Sequence, residues 1–529
     1  MDLREAVRTG MRLSAGSPGD DQAGPGTVVC ACTCDDGAVE TAGLAVLEHG
    51  LPMLETTPLY AASLAKVVTA MCVHRLALQG RLGLDDAISA WFPALAAGDR
   101  ITVRQLLLHR SGLPEYHALR LVAGYAVEDR LLPDDIRRLT DSMDVWFEPG
   151  SRVSYNNTNF AMLAMIVADV TEKSFRLAAD ELVFGPARMT GAVVRDDPCT
   201  LIDGMANGYT RSGRGWLRAV HGSTSVGDGG MWWSGHDLLA LGQTLLQSAT
   251  AADGEGDAVV EVMRRQVPLP DSSLPTLATG CTVSADCSWF GGLAEFTGFC
   301  AELRVYPDHG VAIGAMSNRQ DGRLGQLLDA VAARLDVAPP ALSAPATRRA
   351  GPAPSGTLIG MGGAPWHFRP ADAAAGAPAG AITATVGTLS FHLVASGDEW
   401  QVSELPSHSA GWEGDEFVLR DGSAERARLQ EVGGVGPTAN EMNGLAGWWW
   451  CPAAATALRV TETDGGLFLQ RGQSAPEPLL PAGDRDGRWV LAAPWGLLEF
   501  DHGGRHGRII LHRAEGLRIR RLVAVDADL

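Results

Sequence analysis

The 529-residue chain contains no run of 18 uncharged apolar residues, so no segment has the length to cross a bilayer as a helix. Its first residues, Met1-Asp2-Leu3-Arg4-Glu5-Ala6-Val7-Arg8, lack the apolar core and small-residue cleavage site of a secretory leader, which makes a cytoplasmic location the expectation. Positive charge is scarce. Against 62 Asp and Glu stand 43 Lys and Arg, leaving a net charge of −19. Such a surface repels polyanions, so neither nucleic acid nor a membrane is an expected partner. Cysteines number nine, odd and scattered, which points to reduced thiols rather than a disulfide framework. The cluster Cys30-Ala31-Cys32-Thr33-Cys34 would put three thiols on one face of a strand, but no histidine pair accompanies it. Packing is expected there, and no metal or cofactor.

What is present is globular in character, with 46% hydrophobic and 20% charged residues over a length that calls for two to four domains. Residues 1–16 read as a polar helix. Residues 26–34 and 41–47 read as a hairpin around Asp35-Asp36-Gly37. Helices are expected over 64–78, over 102–114 (stopped by Gly112 and Pro114), over 161–171, 175–182, 237–247 and 322–335. A strand pair is expected over 299–306 and 311–317. Strands early, helices between, strands and a helix late suggest an α/β domain whose antiparallel sheet joins both ends of the segment.

From 337 to 356 the composition turns to Ala, Pro, Ser and Arg, as in a linker. Beyond it the helical period vanishes. Short alternating runs broken by Gly-Asp and Asp-Gly turns fill 357–437 and again 438–529, which suggests two small all-β units, barrels or sandwiches. The aromatic runs Trp232-Trp233 and Trp448-Trp449-Trp450 are expected in cores.

Chemistry enters at Tyr60-Ala61-Ala62-Ser63-Leu64-Ala65-Lys66. A serine three residues before a lysine, at the start of an apolar helix, sets hydroxyl and amine on one face. A serine hydroxyl is a poor nucleophile until a neighbour takes its proton, and a desolvated lysine can do so. The helix N-terminus also favours negative charge developing near Ser63.

Four further segments follow in order: Leu107-Leu108-His109-Arg110-Ser111-Gly112-Leu113-Pro114, Tyr155-Asn156-Asn157, Gly229-Gly230, and Gly298-Phe299 with Tyr306-Pro307-Asp308. Together with Ser63-x-x-Lys66 this set resembles the serine β-lactamase and penicillin-binding protein superfamily, nearest its class C and D-aminopeptidase-like branch, over about 300 residues. The resemblance implies a β-lactamase-like α/β domain, an antiparallel sheet flanked by helices, at 1–336. The linker and two small antiparallel β-barrel domains (357–437, 438–529) would follow, an organisation similar to the three-domain D-aminopeptidases. It implies Ser63 as acylated nucleophile, Lys66 as its proton partner, Tyr155 as a phenolate-like general base, and Asn157 holding Lys66 and the substrate amide. The oxyanion hole would use the Ser63 N–H and one N–H of the strand before Gly298. His109, in a structural turn of the family, is expected to hydrogen-bond rather than to catalyse.

One departure stands out. The family's K-T-G or H-x-G element falls six residues before the Gly-Phe pair, at Gly292, and no Lys or His is there. A shifted register gives Phe290-Gly291-Gly292, similar to the W-G-G variant of related carboxylesterases, with Gly291 and Gly292 lining the substrate site. The expected substrate is a small peptide or amide whose free amine would meet Glu295 or Asp228. A carboxylesterase and a non-catalytic peptide-binding relative stay open, and so does a homodimer. The Pro-rich stretch 470–488 is expected to be a loop that covers the catalytic cleft and limits substrate size.

Overall fold

A computed structural model describes residues 2–14, 24–250, 276–337 and 352–521, with short interruptions in each of the last three spans. Most of the expected linker, 338–351, lies outside the described residues. Packing divides the chain into two units: Met1–Leu113 with Val127–Asp141 and Phe147–Ala341, and Pro114–Ala126 with Ser142–Trp146 and Leu342–Leu529.

The first unit is built on a seven-stranded antiparallel sheet. Its strands are β1 (Thr27–Cys32), β2 (Gly37–Ala42), β3 (Thr276–Leu277), β4 (Thr282–Val283), β5 (Phe290–Phe296), β6 (Phe299–Tyr306) and β7 (Val311–Ser317), in spatial order β3-β4-β5-β6-β7-β1-β2. β1 pairs with β7 from Thr27↔Ser317 to Cys32↔Ala312, so the early hairpin closes onto the late one. Both β6 and β7 are buried at every residue. Runs with no polar face need cover on both sides, and alternation delivers it. Val29, Ala31, Val311, Ile313 and Ala315 pack against α1 (Leu3–Ser14) and the late helix Leu324–Arg334. On the opposite face Gly314 lies against Leu238, and Gly235 against Val28 and Val39, which brings in the helix Gly235–Thr250.

Local signals explain the elements near Ser63. The expected helix over 64–78 is α2 (Ala65–Leu78), preceded by a 3-10 turn, Ala62–Leu64. The expected helix over 102–114 is shorter: α3 (Val103–Leu107) starts at a capping box between Thr102 and Gln105 and ends where His109 turns to φ +55° and Gly112 to φ +76°. At Gly112 a Cβ would meet Phe147 O at 2.2 Å, so the chain passes too close for any side chain. The loop through Tyr155 launches α4 (Asn157–Thr171), capped by the Asn156 side chain, which accepts from Thr158 N at 2.8 Å.

The cysteine cluster is split by the end of β1. Cys30 and Cys32 lie buried on it, while Cys34 sits past the strand with Sγ 3.5 Å from Thr250 Oγ1. Burial raises the Cys30 thiol well above its ordinary value and pushes Cys32 up to about 12. Among the described residues no group of three or more His, Cys, Asp or Glu is arranged to hold a metal. Nor is any described helix long and apolar enough to cross a membrane.

In the second unit, eight strands run from Gly356–Gly360 to Ala424–Glu431, each paired with the next. Leu358–Gly360 pairs back onto Leu429–Glu431 to close the ring. Eight more, from Gly447–Cys451 to Ala514–Arg521, close through Trp449↔Arg521 and Trp450↔Arg520. Trp449 is fully buried, its Nε1–H donating to Leu445 O at 3.0 Å and its ring edge-on to Phe500. The stretch 470–488 corrects the sequence reading. Its described residues are mostly strand: Glu477–Arg485 pairs with both Gly466–Arg471 and Arg488–Ala493. Pro478 sits in the ladder opposite Phe468, and the register shifts between Pro481 and Gly483, so neither proline forbids the strand.

Candidate active site

The short strand Leu59–Tyr60 pairs with Met231–Trp233, and Ala61 N–H donates to Met231 O at 2.9 Å. The chain then turns at Ala62, a non-glycine residue at φ +46°, a conformation that costs about 1–2 kcal/mol and persists only where packing imposes it. Ser63 follows. From Leu59 to His74 every residue is buried except Ser63, which is half-exposed. The chain thus presents one hydroxyl to solvent from an otherwise sealed segment. Ser63 lies in the first turn before α2, where backbone N–H groups have no intrahelical acceptor.

Three segments converge on that hydroxyl. Lys66, one turn along and 4% exposed, donates from Nζ to Ser63 Oγ at 3.1 Å, to Asn157 Oδ1 at 2.7 Å and to the Asp228 backbone carbonyl at 2.8 Å. Three acceptors match the three N–H donors of an ammonium group. The same Nζ stands 5.0 Å from the centre of the Tyr155 ring and 5.7 Å from that of Phe160, two electron-rich faces that favour a cation. Tyr155 supplies the other hydroxyl, 2.9 Å from Ser63 Oγ. Ser63 Oγ is therefore held between a phenol and an ammonium.

Tyr155 and Asn157 reach this place because the turn before α4 is tied down. His109 Nδ1 accepts from Asn156 N–H at 3.0 Å and His109 O accepts from Ser154 N–H at 2.8 Å. Asn156 also donates from Nδ2 to Leu113 O, and Ser111 Oγ donates to Asn159 Oδ1 at 2.6 Å. The expectation that His109 hydrogen-bonds agrees with this geometry. On the far side, Thr69 Oγ1 donates to Gly227 O at 2.7 Å, and at Gly227 (φ +97°) a Cβ would meet Ala164 Cβ at 2.4 Å. That close approach brings the Asp228 carbonyl to Lys66.

β5 passes beside the Ser63 turn. A Cβ at Gly292 would stand 2.4 Å from Leu64 Cδ1, and one at Gly291 1.9 Å from Leu303 O across the strand pair. Backbone close by demands glycine at Gly291, while at Gly292 the neighbour is the end of the Leu64 side chain. Phe290 alternates onto the Gly292 face and is buried, while Leu293 is exposed, as is Glu295. β4 pairs with β5 only at Phe290 and Gly291 among the described residues, so the β5 edge from Gly292 onward has no described strand beside it.

Of the residues singled out from sequence, Ser63, Lys66, Tyr155 and Asn157 come together, and Gly291 and Gly292 lie on the adjacent strand. Asp228 enters through its carbonyl rather than as an exposed charge, its residue being 4% exposed. The Phe160 ring and the stacking of His109 on Tyr155, ring centroids 4.6 Å apart, were not foreseen. Phe160 carried one available signal, its position one helical turn after Tyr155-Asn156-Asn157.

Residues 3–338 match the Beta-lactamase family model. A D-aminopeptidase from Brucella anthropi is 31% identical over 236 residues, 44% of this chain and 44% of that protein. One from Brucella canis is 34% identical over 162 residues, so the chain spans less than half the length of these curated relatives. Among solved structures, a D-amino acid amidase from Ochrobactrum anthropi SV3 shares the fold at TM-score 0.53 and 20% identity, over 64% of this chain and 99% of that one.

Proposed function

The chain belongs to the β-lactamase family, and from that premise we propose that it is a serine hydrolase acting through an acyl-enzyme on Ser63, a D-aminopeptidase or D-amino-acid amidase. The observation that carries this reading is Ser63 Oγ standing between Tyr155 OH and Lys66 Nζ at 2.9 and 3.1 Å. With Lys66 already donating to three acceptors, Tyr155 is the base, taking the Ser63 proton as Oγ attacks the substrate carbonyl. The tetrahedral oxyanion is held by the Ser63 N–H and an N–H on the β5 edge that has no described strand beside it. Tyr155 then hands the proton to the departing amine. A water deprotonated by Tyr155 attacks the acyl-enzyme carbonyl, and as the acid leaves Tyr155 returns that proton to Ser63 Oγ, restoring both the hydroxyl and the base. Asn157 keeps Lys66 in place and contacts the substrate amide.

The D-aminopeptidase and D-amino acid amidase names among similar proteins support this substrate class. The expected organisation goes with it, a catalytic domain to residue 336 followed by two β-barrel domains at 357–437 and 438–529. A second reading, a carboxylesterase, is favoured by one observation. The Gly292–Leu64 contact suits the register in which Phe290-Gly291-Gly292 is the third element, placing an apolar residue where the family carries Lys or His.

Hydrolysis of D-alanine and L-alanine p-nitroanilides and a short-chain p-nitrophenyl ester, each with Ser63→Ala as control, tests the proposal. D-anilide cleavage lost in the mutant supports it. Ester cleavage alone supports the second reading, and no Ser63-dependent turnover would rule out both for these substrates.

A further inference from the structure

His109 lies outside the hydrogen-bonded group at Ser63 yet grips the Tyr155 turn from three sides. Its carbonyl takes the N–H of the residue before Tyr155, its Nδ1 takes the N–H of the residue after, and its ring stacks on the phenol at an interplanar angle of 26°. The residue is 3% exposed and sits at φ +55°. A turn needing only that backbone would be served by Gly or Asn. A histidine there adds an accepting nitrogen and a flat face, both spent on the Tyr155 segment. Because Nδ1 accepts, the ring is the neutral tautomer with its proton on Nε2. With both flanking peptide units pinned and one face of the phenol covered, the Tyr155 hydroxyl is left the direction it takes, 2.9 Å from Ser63 Oγ.

We infer that His109 is a positioning residue that acts through Tyr155, holding the base in line with the Ser63 hydroxyl. The inference rests on the reading of Ser63 as nucleophile. A misplacement of about 1 Å in a catalytic group costs on the order of a hundredfold in rate, and that is the size of the effect expected.

The test is a mutant cycle read by phosphonylation of Ser63 with a fluorophosphonate probe, in which the Oγ–P bond forms, the P–F bond breaks and fluoride leaves. His109→Ala lowers the maximal labelling rate about a hundredfold with the half-saturating probe concentration unchanged. His109→Asn, whose Oδ1 stands where Nδ1 stood and which tolerates positive φ, recovers to within about tenfold of wild type. In a Tyr155→Phe background His109→Ala causes no further loss, because the group it positions is gone. An equal loss from His109→Ala in both backgrounds, or His109→Asn as slow as His109→Ala, overturns the inference. Should His109→Ala fail to fold, His109→Asn decides alone, since any loss it causes must vanish in Tyr155→Phe. Wild type against Ser63→Ala tests the underlying reading separately: labelling that depends on Ser63 upholds it even where the cycle fails, and labelling that does not sinks both.

Discussion

Gly292 lies against Leu64, the residue after Ser63, so closely that a Cβ at 292 would stand 2.4 Å from Leu64 Cδ1. Alanine there must push on Leu64 Cδ1 and through it on the Ser63 turn, one of the two elements proposed to hold the oxyanion. Because the obstacle is the end of a side chain, Gly292→Ala should cost only about 1–3 kcal/mol of stability while Ser63 labelling slows more than tenfold. At Gly291 the obstacle is backbone, Leu303 O at 1.9 Å, so Gly291→Ala should lose stability first, by about 3 kcal/mol or more. Urea unfolding beside probe labelling separates the two, and the reverse order would be wrong for this geometry.

Within the group at Ser63, Tyr155→Phe should slow acylation by about 10²–10⁴-fold, the usual worth of a positioned proton acceptor. Asn157→Ala removes one of three acceptors around Lys66 and should cost less, about tenfold, because Asp228 O and Ser63 Oγ still orient the ammonium. Stopped-flow acylation rates would check the ranking; Asn157→Ala slower than Tyr155→Phe would contradict it.

His74 makes a pH prediction. Burial on α2, with Arg104 adding to it, lowers its imidazole from the ordinary 6.5 to about 4. Below 6.5 the unfolded chain takes up a proton that the folded one refuses until about 4. The folded state therefore loses stability as pH falls through that window, by about 3 kcal/mol in all, and loses nothing on this account above pH 7. Melts of wild type and His74→Leu between pH 7.5 and 4 should show a shallower decline in the variant; parallel curves would count against it.

Arg304 donates from Nε to Glu302 at 2.6 Å and from its guanidinium to Asp329, and burial raises the Glu302 carboxyl even with this partner. Arg304→Met strands a buried carboxylate and should cost about 3–5 kcal/mol at neutral pH. Adding Glu302→Gln should recover much of it. If the single variant melts like wild type, the ion pair is not what holds that face of β6.

The strand pair 299–306 and 311–317, the first strand of the early hairpin and the helix after Ser63 were legible because each rests on local signals: unbroken apolar runs, a tight turn, a helical period. The hairpin's second strand, expected at 41–47, is Gly37–Ala42, and Leu44–Val46 pairs instead with Leu51–Pro52. The strand Glu477–Arg485 was not legible, since proline content was weighed without knowing that Pro478 would pair opposite Phe468 and that the register would shift after Pro481. The helix expected over 102–114 stops at Leu107 as the chain turns to positive φ at His109, whose carbonyl and Nδ1 are taken by the N–H groups of Ser154 and Asn156, residues distant along the chain.

The sequence by itself determined which residue types stand at which spacing, and hence that Ser63 and Lys66 share a helix face and that Tyr155 and Asn157 open another helix. Only the tertiary structure decided that the Asp228 carbonyl completes the shell around Lys66, that His109 covers Tyr155, and that Gly292 is glycine because Leu64 fills the space beside it. The reason is physical. Periodicity and capping act within a few residues, whereas a carbonyl's direction or a missing Cβ takes its meaning from an element brought near by packing.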